Sequence, residues 1–250
     1  MHSNSAILKV ENASRRFGGL MAVNQVNLTL ACGEVRALIG PNGAGKTSLF
    51  NLLTGVLKCS SGSIKFKGQE ISHLPAYKRY KLGIGRSFQI VNLFVDHTVR
   101  ENVRLGAQAA LKRTTHPLEW VSPRAIDWKT DEILDQYQWF RDPLAKAGTL
   151  IYAEQKKLET LMALTSSPDL LLLDEPAAGI DENDINIMVE MIRSLAKNRT
   201  VLLTDHDIGF VMAIADKISV LDQGSIIAEG SPKEVAANPK VEEVYFGRSH

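Results

Sequence analysis

Cysteine is nearly absent from this 250-residue chain: Cys32 and Cys59 are its two. They are too few and too far apart for a disulfide framework or a four-ligand zinc site, so a reduced, cytoplasmic setting is expected. Long hydrophobic runs are missing as well. Leu170-Leu171-Leu172-Leu173 stops at once at Asp174-Glu175, far short of the ~18–20 apolar residues that span a bilayer, so membrane association is expected only through a partner. Residues 1–6 carry neither the cationic opening nor the apolar core of a signal peptide, which predicts no export. Neither sign of charge dominates, with 29 Lys plus Arg against 28 Asp plus Glu and a net +1. That balance excludes a generally basic nucleic-acid binder, and 44% hydrophobic residues exclude a disordered chain. No internal repeat, low-complexity tract or run of like charge is visible. What remains is one sizeable globular unit.

Short runs rich in Val, Ile and Leu lie at residues 7–10, 26–30, 35–39, 64–66, 170–173, 201–203, 218–221 and 225–228, and read as strands. Helix-period segments separate several of them. The clearest is the stripe Ile185, Met188, Val189, Ile192 and Leu195 on a helix that starts near residues 181–184. This alternation predicts an α/β sheet. The early strands are joined by short polar links such as residues 60–63, which suits an antiparallel layer beside the main sheet. Ser231-Pro232-Lys233-Glu234 combines an N-cap, a first-turn proline and a capping-box Glu. From about residue 99 to 164 strand signals are few, turns are marked by His116-Pro117 and Ser122-Pro123, and all three tryptophans occur: Trp120, Trp128 and Trp139. A mostly helical insertion is expected there, with the tryptophans in its core or on a docking surface.

Gly40-Pro41-Asn42-Gly43-Ala44-Gly45-Lys46-Thr47 fits G-x-x-x-x-G-K-[ST], directly after a strand at 34–39 and before a helical run at 48–57. That is the context the phosphate-binding loop requires. Its glycines let backbone N–H groups turn toward phosphate oxygens, the helix N-terminus favours negative charge, Lys46 reaches the outer phosphates and Thr47 offers a hydroxyl to Mg²⁺. An Asp-Glu pair closing a strand is ordinarily a solvated turn. Behind a phosphate loop, Asp174 falls where such proteins hold Mg²⁺, and Glu175 is placed to orient an attacking water. His206 follows the strand at 200–204 and therefore sits on the ligand edge of an α/β sheet, where it can meet a γ-phosphate; in isolation it reads as a surface histidine. Gln89, in Arg86-Ser87-Phe88-Gln89, carries no signal alone. Phe17 offers an aromatic face to a base or fills a turn.

The order of these pieces resembles the nucleotide-binding domain of an ABC transporter, over essentially the whole chain. In more detail it is similar to the ATP-binding subunits of the branched-chain amino acid importer group, through Arg16-Phe17-Gly18-Gly19-Leu20, Phe50-Asn51-Leu52-Leu53-Thr54-Gly55, Arg86-Ser87-Phe88-Gln89 and Asp174-Glu175-Pro176-Ala177-Ala178-Gly179. The resemblance implies a P-loop NTPase core, a mainly parallel sheet with flanking helices, plus an antiparallel β subdomain and a helical subdomain. It implies one such domain over residues 1–250, with the helical part at about 99–164. It further implies that Phe17 stacks on adenine, that residues Gly40 to Thr47 together with Ser48 bind ATP, and that Thr47, Gln89 and Asp174 surround Mg²⁺. Glu175 is then the general base or water-orienting residue, His206 the γ-phosphate contact, and Asp181 a residue linking two such domains. The expected partners are a second ATP-binding subunit, closing head to tail in a heterodimer or homodimer, transmembrane permease subunits and, indirectly, a periplasmic or surface solute-binding protein. Nucleic acid is not among them. The expected place is the cytoplasmic face of the inner or plasma membrane.

One departure stands out. The family's signature reads Leu-Ser-x-Gly-Gln, and here Leu150-Ile151-Tyr152-Ala153-Glu154-Gln155 takes its place. The Ile151 side chain has no hydrogen bond to donate to the opposite ATP, a loss of about 1.5–3 kcal/mol, and Ala153 adds a methyl where backbone approaches closely. The expectation is a heterodimer with one proficient and one weakened site. An ATP-binding regulatory subunit and a soluble non-transport ABC ATPase are the alternatives, although the latter usually carries two cassettes or a long coiled-coil insertion, and neither is visible. The transported molecule is not written in these residues: branched-chain or other amino acids, urea and amides all fit.

Overall fold

The computed structural model describes residues 6–87, 93–114 and 121–246. Strands β1 (Ala6–Phe17) and β2 (Leu20–Ala31) form a hairpin, with β3 (Val35–Ile39) following at once. Helix α1 (Lys46–Thr54) leads to β4 (Ser61–Phe66), β5 (Gln69–Glu70), α2 (Ala76–Leu82) and β6 (Ile84–Arg86). Helices α3 (Val99–Thr114), α4 (Pro123–Tyr137) and α5 (Tyr152–Leu164) follow. The chain then alternates: β7 (Leu170–Asp174), α6 (Ile185–Ala196), β8 (Thr200–Thr204), α7 (Ile208–Ile214) and β9 (Lys217–Asp222). It closes with β10 (Ser225–Gly230), α8 (Pro232–Ala236) and α9 (Pro239–Phe246).

Two sheets result, as the strand pattern predicts. One is antiparallel, in the order β2-β1-β4-β5; the other runs β10-β9-β3-β8-β7-β6, parallel except for the final antiparallel pair β10-β9. Every residue of β3, β7 and β8 is buried, as strands covered on both faces are. Because successive side chains point to opposite faces, alternate residues supply two cores. Val35, Ala37, Leu171, Leu173, Val201 and Leu203 face a cluster completed by α3, α5, α6 and α7. Leu38, Leu170, Leu172 and Leu202 face a second, shared with Leu8, Val10, Leu28 and Ile64 of the antiparallel sheet and with Leu49, Phe50, Leu52 and Leu53 of α1. Helix α1 is thus held between two sheets.

Several boundaries differ from the sequence pattern for local reasons. β1 and β2 run well beyond residues 7–10 and 26–30, because shifts in register at Asn12 and Gln25, both with positive φ, break the two-residue alternation. Helix α1 stops at Gly55 rather than near residue 57. Ser122-Pro123, read as a turn, starts α4: Ser122 accepts a hydrogen bond from the Ala125 N–H, with proline in the first turn. The capping box at Ser231 and Glu234 is present as expected. Trp128 is 67% exposed, so it belongs to no core, whereas Trp139 is half-buried against Tyr137, their rings 4.9 Å apart. Trp120 and the 116–117 turn lie outside the described residues.

Candidate functional site

The loop after β3, the end of β7 and the turn after β8 all lie at the carboxyl edge of parallel strands, where α/β sheets bind ligands. Residues 40–45 run against β9 and β2 so closely that neither Gly40 nor Gly45 has room for a side chain. A Cβ on Gly40 would stand 2.1 Å from the Leu221 carbonyl oxygen, and one on Gly45 2.3 Å from that of Ala22. Both glycines also have positive φ. Gly45 is the N-cap of α1, no side chain caps it, and the first turn carries no acidic residue. The helix therefore presents open N–H groups and the positive end of its dipole. A cleft of about 650 Å³ opens there, lined by Asn42, Gly43, Ala44, Gly45, Lys46, Thr47, Ser48 and Glu175.

Lys46 Nζ donates to the carbonyls of Gly40 (2.6 Å) and Pro41 (3.1 Å). Burial lowers its pKa, while the carboxylates of Glu175 and Asp174 act the other way. The ammonium thus lies in the field of both acids. Asp174 is buried, with Oδ1 accepting from Thr204 Oγ1 (2.8 Å) and Oδ2 from Arg86 Nη2 (2.7 Å). Glu175 has φ +49°, a left-handed conformation rare outside glycine and costing about 1–3 kcal/mol. Its N–H donates to the Thr204 carbonyl at 2.9 Å, which helps hold the turn. His206 is two-thirds exposed and lines a neighbouring hollow of about 220 Å³ with Ala178, Gly179 and Asp205.

Sequence reasoning missed several contributors. Leu20, Met21 and Ala22 of the hairpin and Gln223 and Gly224 of the β9–β10 turn also line the main cleft. That turn is bonded directly to the loop, the Gly224 N–H donating to the Ala44 carbonyl at 2.9 Å. Phe17 stands 41% exposed at the end of β1 with the Arg15 guanidinium over its ring at 4.6 Å. Asp205, fully buried, accepts from the N–H groups of Ala177 (3.0 Å), His206 (2.8 Å) and Asp207 (3.1 Å). It thereby ties the turn after Glu175 to the segment carrying His206. Nothing in the pattern of residues marked it, since its role depends on which turns meet. Gln89 lies outside the described residues.

The altered signature stretch stands apart from the cleft. Ile151 is the N-cap of α5 and half exposed, and its N–H donates to Glu154 Oε2 at 3.4 Å. Ala153 is buried, and Tyr152 packs on Gly179, where an added Cβ would lie 3.1 Å from the ring. Asp181 is exposed as the N-cap of the short 3-10 turn that leads directly into α6.

The sequence matches a model of the ABC transporter family over residues 23–178, more than half the chain, and a branched-chain amino acid ATP-binding cassette transporter model over 225–250. The chain belongs to the ABC transporter family. Its relatives include the high-affinity branched-chain amino acid transport ATP-binding protein LivG of Escherichia coli K12, 37% identical over 97% of this chain and 98% of that one. A probable branched-chain amino acid transport ATP-binding protein of Archaeoglobus fulgidus is 34% identical over 96% and 95%. Among solved structures, an ATP-binding cassette of an ABC transporter in its ADP conformation superposes with a TM-score of 0.86 at 30% identity, over 98% of this chain and all of that one. The two-sheet architecture is therefore that of an ABC ATPase cassette. No helix among the described residues is long and apolar enough to cross a membrane.

Magnesium suits the donors this cassette presents. Thr47 and Asp174 offer hard oxygens, but no group of three or more His, Cys, Asp or Glu side chains gathers among the described residues. An ion that keeps waters and shares its shell with phosphates needs only such a partial set.

Proposed function

We propose that this cassette binds and hydrolyses ATP to energise an importer, with branched-chain amino acids, the class named for its relatives, as the first candidate cargo. One observation carries the reading: the open N-terminus of α1, Lys46 and Glu175 line a single cleft of nucleotide size, beside the buried Asp174. Backbone N–H groups and the Lys46 ammonium neutralise and orient the phosphates, so catalysis is mainly positioning and electrostatics. Thr47 and Asp174, with Gln89 by resemblance, would hold Mg²⁺, which would supply neutralisation of phosphate charge. Glu175, held in its unusual backbone conformation, orients the attacking water, and His206 contacts the γ-phosphate. Phe17 offers its free face to the base.

The residues 150–155 line no part of this chain's own cleft among the described residues, which supports a role toward a second subunit closing head to tail. Ile151 then weakens the partner's site and leaves this one intact, so a sister subunit with an ordinary signature is the favoured partner, beside permease subunits at the cytoplasmic face of a membrane. The same Ile151 favours one second reading, a regulatory subunit that binds ATP with little turnover. ATPase activity of the chain alone, and with its sister and membrane subunits in lipid, decides between them, with Glu175→Gln as the blank. Activity only in the assembly supports an asymmetric transporter; full activity alone, through a symmetric pair, removes the asymmetry. Tight ATP binding with silence throughout supports the regulatory reading.

A further inference from the structure

Asp174 closes β7 at 3% exposure, and a carboxylate so buried needs a donor on each oxygen. Thr204 serves Oδ1. Oδ2 is served by Arg86, the last residue of β6, which lies in register with Leu172 of the neighbouring β7. The other arm of the guanidinium, Nη1, donates to Asn51 Oδ1 on α1 at 2.6 Å, and the group stands 5.8 Å from the centre of the Phe50 ring. Its Nε is buried without a hydrogen-bond partner among the described residues. The side chain thus leaves one donor unsatisfied to reach Asn51 and Asp174 together. A planar fork can span two acceptors at a fixed separation, whereas an ammonium on a flexible stem cannot hold both in one orientation.

We infer that Arg86 is a positioning residue of the metal centre: it fixes the orientation of the Asp174 carboxylate relative to α1, whose first turn carries Thr47, so the two oxygen donors stand prepared together. The inference rests on the reading of Asp174 and Thr47 as the metal-holding pair. Arg86 itself does not line the cleft. Its charge opposes the approach of a second cation while its hold on the carboxylate favours it, and these effects move metal affinity in opposite directions.

The test titrates Mn²⁺ into the full chain loaded with ADP, following free Mn²⁺ by electron paramagnetic resonance, beside nucleotide binding measured in EDTA. Arg86→Ala should weaken Mn²⁺ binding at least about tenfold and change nucleotide affinity in EDTA by less than about threefold. Arg86→Lys should fall between parent and Ala, and Asn51→Ala should shift Mn²⁺ affinity the same way by less. If Arg86→Ala does not fold, those two variants carry the comparison. Unchanged Mn²⁺ affinity would make the ion pair purely structural and overturn the inference, as would tighter Mn²⁺ binding, which makes Arg86 a competitor. Equal loss of metal and nucleotide affinity would also overturn it. A parent protein that holds no Mn²⁺ beyond that bound by the nucleotide overturns the underlying reading of Asp174 and Thr47, and is told apart by needing no variant.

Discussion

Lys46 is half-buried at the cleft and Asp205 fully buried beside it, with opposite chemical purposes. The Lys46 ammonium is bonded to two carbonyls of its own loop, and a phosphate offers it charge-assisted bonds of about 1.5–3 kcal/mol instead. Lys46→Ala should therefore weaken ATP binding at least about tenfold, measured by equilibrium titration with a fluorescent analogue. Glu175→Gln keeps the shape of the cleft and removes the carboxylate proposed to orient water, so nucleotide affinity should hold while turnover of the assembled transporter falls about 10²-fold or more. Burial raises the Asp205 pKa above its ordinary value of 3.8, against the hydrogen bonds from Asp207, Ala177 and His206 that lower it. An acid whose folded pKa is raised favours the folded state fully below its unfolded pKa, and that contribution is lost as pH rises through the folded value. Asp205→Asn does not titrate. Thermal melts between about pH 4 and 7 should show the Asn variant's stability, relative to the parent, improving as pH rises. Lys46 and Thr47 are legible from spacing alone because their motif is local, whereas Asp174 and Glu175 gain meaning only beside that motif. Asp205 and Arg86 were not, since each acts by joining segments far apart in the chain.

At the scale of single elements, helix ends carry much of the information. Helix α5 starts at Ile151 with no side-chain cap, where the family pattern puts serine. Ile151 is 49% exposed, so little burial is lost on shortening it. Ile151→Ser should raise stability by about 0.5–2 kcal/mol through N-capping, read from urea unfolding. The opposite end of α1 is closed by Arg79, 1% exposed, which donates to the carbonyls of Leu52 (2.5 Å), Leu53, Leu74 and Ser72. A basic residue there satisfies orphan carbonyls and opposes the negative end of the dipole. The start of α1 was plain from the glycines and lysine before it. Its end was not, because Arg79 lies beyond two strands and arrives only when α2 packs.

For the molecule as a whole, the join between the two sheets holds the site. Arg36, 1% exposed on β3, meets Glu34 at 2.5 Å, Glu229 at 2.8 Å and Ser219 Oγ at 2.9 Å, and donates to the Thr29 carbonyl of β2. Arg36→Ala leaves Glu34 buried without that partner, and should cost about 3–5 kcal/mol in denaturant unfolding. Strand runs, the α6 stripe and the phosphate loop are properties of neighbouring residues, so the α/β class, the antiparallel layer and the family resemblance are legible in the sequence by itself. Register shifts in β1 and β2, the exposure of Trp128 and the reach of the β9–β10 turn into the cleft belong to packing instead. Composition and periodicity report which residues avoid water and which local shapes they favour. Which carbonyl an arginine caps, and which carboxylate it holds, is set by contacts between segments scores of residues apart, and those exist only in the tertiary structure.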